Sequence, residues 1–273
     1  MNKEIMTFPQ AIFLGAIQGV TEFLPISSSA HLVILPQLFD LPYQGKVFDI
    51  FLNIGSLLAI LIRFRSQVWK LFAGLKDVLL NKKTADKYFF ITMLLSSLPV
   101  IVVFGVADII FCVDINSLLI LSAMLVTFAF VMYFCDLRSA HKSKISRKDS
   151  MVIGAAQTLS LIPGVSRLGA CLSMARYLNY SREESFRYSL MLSIPPVTGA
   201  CFLKSLKIFS GEIPMGYWPI MITGTASAFV CGMISLYAVE NFFKKHTFLA
   251  IVIYRILFGI GIFIFLGLRR HGI

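Results

Sequence analysis

The apolar residues of this chain come in long blocks. No charged side chain falls between Lys87 and Asp108, between Asp114 and Asp136, or between Glu212 and Glu240. A helix needs roughly 20 apolar residues to cross a bilayer, so each gap has room for one crossing. Together with similar runs elsewhere, the pattern predicts six transmembrane helices, at about residues 47–62, 88–107, 115–135, 186–206, 217–239 and 248–268. Two further blocks, 8–39 and 151–178, are apolar but interrupted by proline and by Ser/Gly-rich stretches. Such blocks predict re-entrant helical hairpins, in which two half-helices enter and leave by one face.

The broken blocks resemble each other. "GAIQGVTEFLPISS" at 15–28 and "GAAQTLSLIPGVSR" at 154–167 both run Gly-Ala-x-Gln, an apolar stretch, then proline and serine. The segments that follow, "FDIFLNIGSLLAI" from Phe48 and "FRYSLMLSIPPV" from Phe186, also correspond. The chain therefore reads as one all-α polytopic membrane domain, 1–273, with repeat one at about 8–136 and repeat two at about 150–269. Each repeat holds one hairpin and three crossings. Three is odd, so the repeats insert with inverted topology, and such folds place their site where the halves meet near mid-membrane.

Composition agrees. The chain is 57% hydrophobic and 14% charged, where soluble domains carry about 25% charge. The net charge of +11 does not point to nucleic acid. Its lysines and arginines bunch in the loops at 63–87, 136–150 and 240–247, the bias of cytoplasmic loops. The loops at 108–114 and 207–217 are poor in Lys/Arg and are expected outside, which places the first hairpin on the outer side and the second on the cytoplasmic side. Arg269 and Arg270 run against this trend. The first apolar stretch, interrupted by Gln18 and Glu22, does not read as a cleavable signal. The five scattered cysteines form no C-x-x-C pair and suggest neither a disulfide framework nor a zinc site.

Polar groups at membrane depth are expensive, so they mark function. Gln18 and Glu22, four apart, share one helix face. A carboxylate beside an amide suits a hard divalent cation, Mg²⁺ or Ca²⁺, or an acid/base role. Ser27, Ser28, Ser29 and His31 follow a proline. They can cap a half-helix, bind an anion at its N-terminus, and supply a nucleophile with its base. In "PGVSR", Gly164 permits close backbone approach, Ser166 can cap, and Arg167 offers a planar fork for phosphate oxygens. Asp49 and Arg255 are weaker candidates, for the site or for pairing elsewhere. An anion clamp with a nucleophile and an acid/base describes phosphoryl transfer.

These motifs resemble the undecaprenyl-diphosphatase family, the bacitracin-resistance phosphatases of bacterial inner membranes. "GAIQGVTEFLPISSSAHL" is similar to the family's (E/Q)-x-x-x-E motif with its serines and histidine, and "PGVSRLGAC" to its P-G-x-S-R-S-G-A-T motif. "FDIFLNIGSLLAI" and "AIVIYRI" look like its later segments. The resemblance implies hydrolysis of a C55 polyprenyl diphosphate to its monophosphate at the outer face. It also implies help from a divalent cation, recycling of the lipid carrier for peptidoglycan, and bacitracin resistance. It assigns Gln18 and Glu22 to the first motif, Ser28 as nucleophile, His31 as the essential histidine, and Ser166 and Arg167 to phosphate binding, with the attack by Ser28 or His31 left open. Leu168 and Cys171 stand where the family has hydroxyls. The alternative is a polyprenyl-phosphate flippase or other anion transporter on the same inverted repeat. A two-histidine acid-phosphatase type is excluded, because His141, His246 and His271 lie in basic loops or the tail. The expected partners are the prenyl lipid and the membrane; a homodimer is left open.

Overall fold

The computed structural model describes residues 6–42, 45–110, 118–207 and 217–270. Among them the chain forms eleven α-helices and no strand. They are α1 (Phe8–Glu22), α2 (Ser28–Leu38), α3 (Lys46–Arg63), α4 (Arg65–Leu79), α5 (Ala85–Ile110), α6 (Leu118–Asp136), α7 (Arg147–Gln157), α8 (Arg167–Tyr177), α9 (Arg182–Lys207), α10 (Trp218–Lys245) and α11 (Leu249–Arg270). A 3-10 turn, Thr158–Leu161, extends α7.

Four helices are long and apolar enough to cross a membrane: α6, α10, Ala85–Val103 of α5 and Leu249–Arg269 of α11. A fifth candidate is the α3–α4 pair, bent by 83°. The bend falls at buried Phe64, the last cap of α3 and the first of α4. Residues 65–79, expected as a basic loop, are therefore helical. Val68, Leu71, Phe72, Leu75 and Leu79 recur every three to four residues, an amphipathic period that Arg65, Lys70 and Lys76 conceal. α9 covers the expected span at 186–206. It is more polar than the four, with Arg182, Glu183, Glu184 and Arg187 in its first turns. Most of the expected outer loops, 111–114 and 208–216, lie outside the described residues, as does His271.

The helix boundaries repeat. Residues 8, 22, 28 and 38 bound α1 and α2, and 139 positions later residues 147, 161, 167 and 177 bound α7 with its 3-10 extension and α8. α1 and α7 each pack on the far part of the chain. α1 lies on α10 so closely that a Cβ at Gly15 would sit 2.4 Å from the Gly224 carbonyl oxygen. α7 lies on α5, where a Cβ at Gly154, the counterpart of Gly15, would sit 2.1 Å from the Ser96 carbonyl oxygen. Small residues permit such helix contacts inside a membrane.

At one end the elements are tied by a buried carboxylate. Asp136 closes α6 and accepts from Arg176 of α8 at 3.2 Å, from Arg182 of α9 at 2.7 and 3.0 Å, and from the Phe248 backbone N–H at 3.0 Å. Arg176 also donates to the carbonyls of Asp136, Arg138 and Tyr180. Removing one partner of a buried pair costs about 3–5 kcal/mol. Asp136→Asn, which keeps the shape and removes the charge, is expected to lower the thermal midpoint of the detergent-solubilised protein by about 10 °C.

Candidate active site

Both helix breaks end in a strained serine. After α1 the chain turns through residues 23–27, and Ser27 caps α2 with φ 71°. After the 3-10 turn, Ser166 caps α8 with φ 70°, its hydroxyl accepting the Gly169 N–H at 3.2 Å. These two serines are equivalent in the 139-residue register, and both hold a left-handed backbone that non-glycine residues rarely adopt. Gly164 has φ 94°, and a Cβ there would lie 2.5 Å from the Leu121 carbonyl oxygen, so only glycine fits.

The breaks meet at Glu22. One carboxylate oxygen accepts from Arg167, across 145 residues of sequence. The other accepts from the Ser28 hydroxyl at 2.6 Å and from Gln18 Nε2 at 3.2 Å. Gln18 Nε2 also donates to Asn53 Oδ1 at 3.2 Å and lies 3.4 Å from Ser56 Oγ. Two buried polar atoms here have no partner, Gln18 Oε1 and Arg167 Nε. Glu22, Ser27, Ser28, Ser29, Gly164, Ser166 and Arg167 all line one cavity of about 550 Å³, joined by Asn53. The rest of its wall is mostly apolar, from α5, α9 and the second break.

Gln18 is buried beside this cavity without lining it, and three further predicted residues stand back from it. His31 is 3% exposed and sits behind Ser27. Its Nδ1 lies 2.8 Å from the Ser27 carbonyl oxygen, which can only accept, so Nδ1 carries the proton. In the neutral ring Nε2 is then the acceptor of the Tyr254 hydroxyl at 2.6 Å. The ring also stacks on Phe258, centroids 4.3 Å apart. Arg255 is fully buried and spends its guanidinium on backbone: Nη1 on Pro25 O at 2.8 Å, Nη2 on Gly164 O at 2.8 Å and Val165 O at 3.4 Å, Nε on Leu125 O at 3.3 Å. Pro25 and Gly164 are 139 positions apart, the same offset as the helix boundaries, so this one side chain joins both breaks at matching points. Asp49 lies one turn from Asn53, and its carbonyl accepts from Asn53 Nδ2 at 2.7 Å, which turns Asn53 Oδ1 toward Gln18.

Asn53 and Tyr254 were not singled out from the sequence. Asn53 could have been found by the argument used for Gln18, as a lone amide in an apolar run. Of the two departures from the family pattern, Leu168 lines the cavity, whereas Cys171 is buried behind it, donating to Gln157 Oε1 at 3.5 Å.

Among the described residues no three His, Cys, Asp or Glu side chains gather to hold a metal. Magnesium, however, is commonly bound by one or two carboxylates with substrate phosphates completing its shell. Glu22 with the unpartnered Gln18 Oε1 fits that pattern.

The family described as "Bacitracin resistance protein BacA" matches residues 11–261. The chain belongs to the BacA family. Its relatives include the "Undecaprenyl-diphosphatase" of Elusimicrobium minutum, 36% identical over 95% of this chain and 98% of that one. Another, of the same name, is from a Nocardioides species, 37% identical over 93% and 95%. That of Thermomicrobium roseum is 31% identical over 96% and 99%. The BacA match spans both helix breaks and every cavity residue named above.

Proposed function

We propose that this chain hydrolyses undecaprenyl diphosphate to undecaprenyl phosphate and inorganic phosphate, returning the lipid carrier to peptidoglycan synthesis and conferring bacitracin resistance. One observation carries the reading. Ser28, Glu22 and Arg167, from two distant helix breaks, converge hydrogen-bonded in one cavity with polar and apolar ends. The relatives' shared name supports it, and a flippase is the less favoured alternative.

Arg167 and the N-terminal N–H groups of α2 and α8 hold the diphosphate. Ser28 attacks the terminal phosphorus while Glu22 takes its proton. The bond to the bridging oxygen breaks, undecaprenyl phosphate leaves, and Glu22 returns the proton to the departing oxygen. Water, deprotonated by Glu22, then cleaves the phosphoserine, and the proton goes to Ser28 Oγ as phosphate is released. Ser28 is preferred over His31 as nucleophile because it lines the cavity and already donates to Glu22. His31 positions Ser27 and the start of α2. A divalent cation, Mg²⁺ or Ca²⁺, held by Glu22 and Gln18 would neutralise charge on the phosphate oxygens.

In the membrane the chain makes six crossings and two re-entrant hairpins in two inverted repeats, within the bacterial inner membrane, with the active site open to the exterior. The repeated helix boundaries, the exchanged partners of α1 and α7, and the bridging position of Arg255 support the repeat. The basic loops support the orientation.

The test is phosphate release from C55 diphosphate by the detergent-purified protein. Release is expected, stopped by chelator, restored by Mg²⁺ or Ca²⁺, and reduced at least about 10³-fold by Ser28→Ala. No release from the wild type would leave a transporter in its place. A phosphohistidine trapped instead of a phosphoserine would overturn the role of Ser28.

A further inference from the structure

The cavity is too small for its substrate. About 550 Å³ encloses a drug-sized molecule, not a diphosphate with a fifty-five-carbon chain. Most of the chain must leave the cavity sideways, and the cavity wall includes residues of both α5 and α9.

These helices are joined at one level and part at the next. Ser96 of α5 and Tyr188 of α9 share a hydrogen bond of 2.6 Å, and the Tyr188 hydroxyl also reaches Thr92 O at 3.4 Å. Just beyond, α5 carries Pro99 and α9 carries Pro195–Pro196. Proline inside a helix removes a donor and pushes against the preceding turn. Past the prolines, Val100 and Ile101 of α5 and Val197 and Gly199 of α9 all line the cavity. Ile101 is 50% exposed, and a Cβ built on Gly199 meets nothing within 4 Å. Cavity wall and membrane-facing surface are therefore continuous here.

The equivalent seam in the other repeat, between α3 and α10, is shut. A Cβ at Gly55 would lie 2.3 Å from Thr225 O, and the Thr225 hydroxyl donates across the seam to Phe51 O at 3.0 Å. Neither helix has an interior proline there; Pro219 sits in the first turn of α10. Of these two seams, the described residues close the one between α3 and α10 and not the one between α5 and α9.

We propose that the α5–α9 seam is the port through which the prenyl chain passes from the cavity into the bilayer, and that Gly199 keeps it open. The proposal rests on the phosphatase reading above. The head of its occupant is fixed by Arg167 and Ser28 at the polar end, and its tail by the apolar walls at the port.

Blocking the port should cost long chains and spare short ones. With Gly199→Trp, kcat/KM on C55 diphosphate is expected to fall at least about tenfold, while on C15 diphosphate, short enough to stay inside, it changes by less than about threefold. Gly199→Ala should behave as wild type on both. Ile101→Trp narrows the port from the opposite wall and should give the same split if the glycine variant fails to fold. Independently, a photoreactive group on the fourth isoprene of a C55 diphosphate should label α5 and α9 in the wild-type protein. Equal losses on both substrates, no loss in a folded variant, or labelling on α3 and α10 would overturn the port. A wild type releasing phosphate from neither substrate would instead refute the phosphatase reading, and the port with it.

Discussion

Arg167→Ala is expected to lower kcat/KM on undecaprenyl diphosphate at least about 10³-fold, the scale of an arginine that meets a transferring phosphoryl group. The same change should move the thermal midpoint by only a few degrees. Both halves follow from where Arg167 sits. Its side chain is 24% exposed at the cavity wall, and its ion-pair partner Glu22 keeps two other donors, Ser28 and Gln18, when the guanidinium goes. Those two donors keep the carboxylate partnered, which limits the cost to the fold. In the proposed reaction, substrate phosphate would compete with Glu22 for the guanidinium and leave the carboxylate to take the Ser28 proton. Arg167→Lys keeps the charge but loses the fork, and should fall between, about 10²-fold down. The check is phosphate release at several substrate concentrations beside a melting curve. Near-normal release by the alanine variant would remove Arg167 from the mechanism.

Arg255→Met is expected to do the reverse, losing the fold first and activity as a result. This arginine satisfies carbonyls at four positions, Pro25, Leu125, Gly164 and Val165, with no route to water. Each buried acceptor left unpaired costs about 1–3 kcal/mol. Even with partial relaxation the total is several kcal/mol, and the midpoint should drop by about 10 °C or more. Arg255→Lys reaches fewer of the carbonyls and should lie between. Activity measured well below the midpoint should return in proportion to the folded fraction. A methionine variant that melts like the wild type would show that the two breaks hold together without the guanidinium. Two arginines at membrane depth, one expected at the phosphate and the other a weaker candidate for the site or for pairing elsewhere, are thus expected to separate cleanly in the laboratory.

That contrast shows what a sequence can reveal here. Glu22, Ser28 and Arg167 stood out because charge, hydroxyls, proline and glycine in oil have few bland explanations, and the structure places all three in one cavity. The two broken blocks were visible for the same reason. Arg255 was visible as a charge, but its partners are main-chain carbonyls, which every residue has and none advertises. His31 was recognisable by type, whereas the direction of its ring depends on Tyr254 and Phe258, more than 220 positions away. α4 was hidden because its cations mask an amphipathic period. Asn53 was hidden because a single amide barely disturbs a hydrophobic run.

The reach of Arg255 also bears on biosynthesis. It contacts Pro25 across 230 positions and Gly164 across 91. A ribosome adding about 5–20 residues per second finishes the second break several seconds before it supplies this side chain. During that interval the carbonyls of both breaks lack the donor that will join them, so the nascent chain holds the parts of a phosphatase without their geometry. Catalytic competence should therefore arrive abruptly, with the insertion of α11, and not accumulate as the earlier helices enter the bilayer.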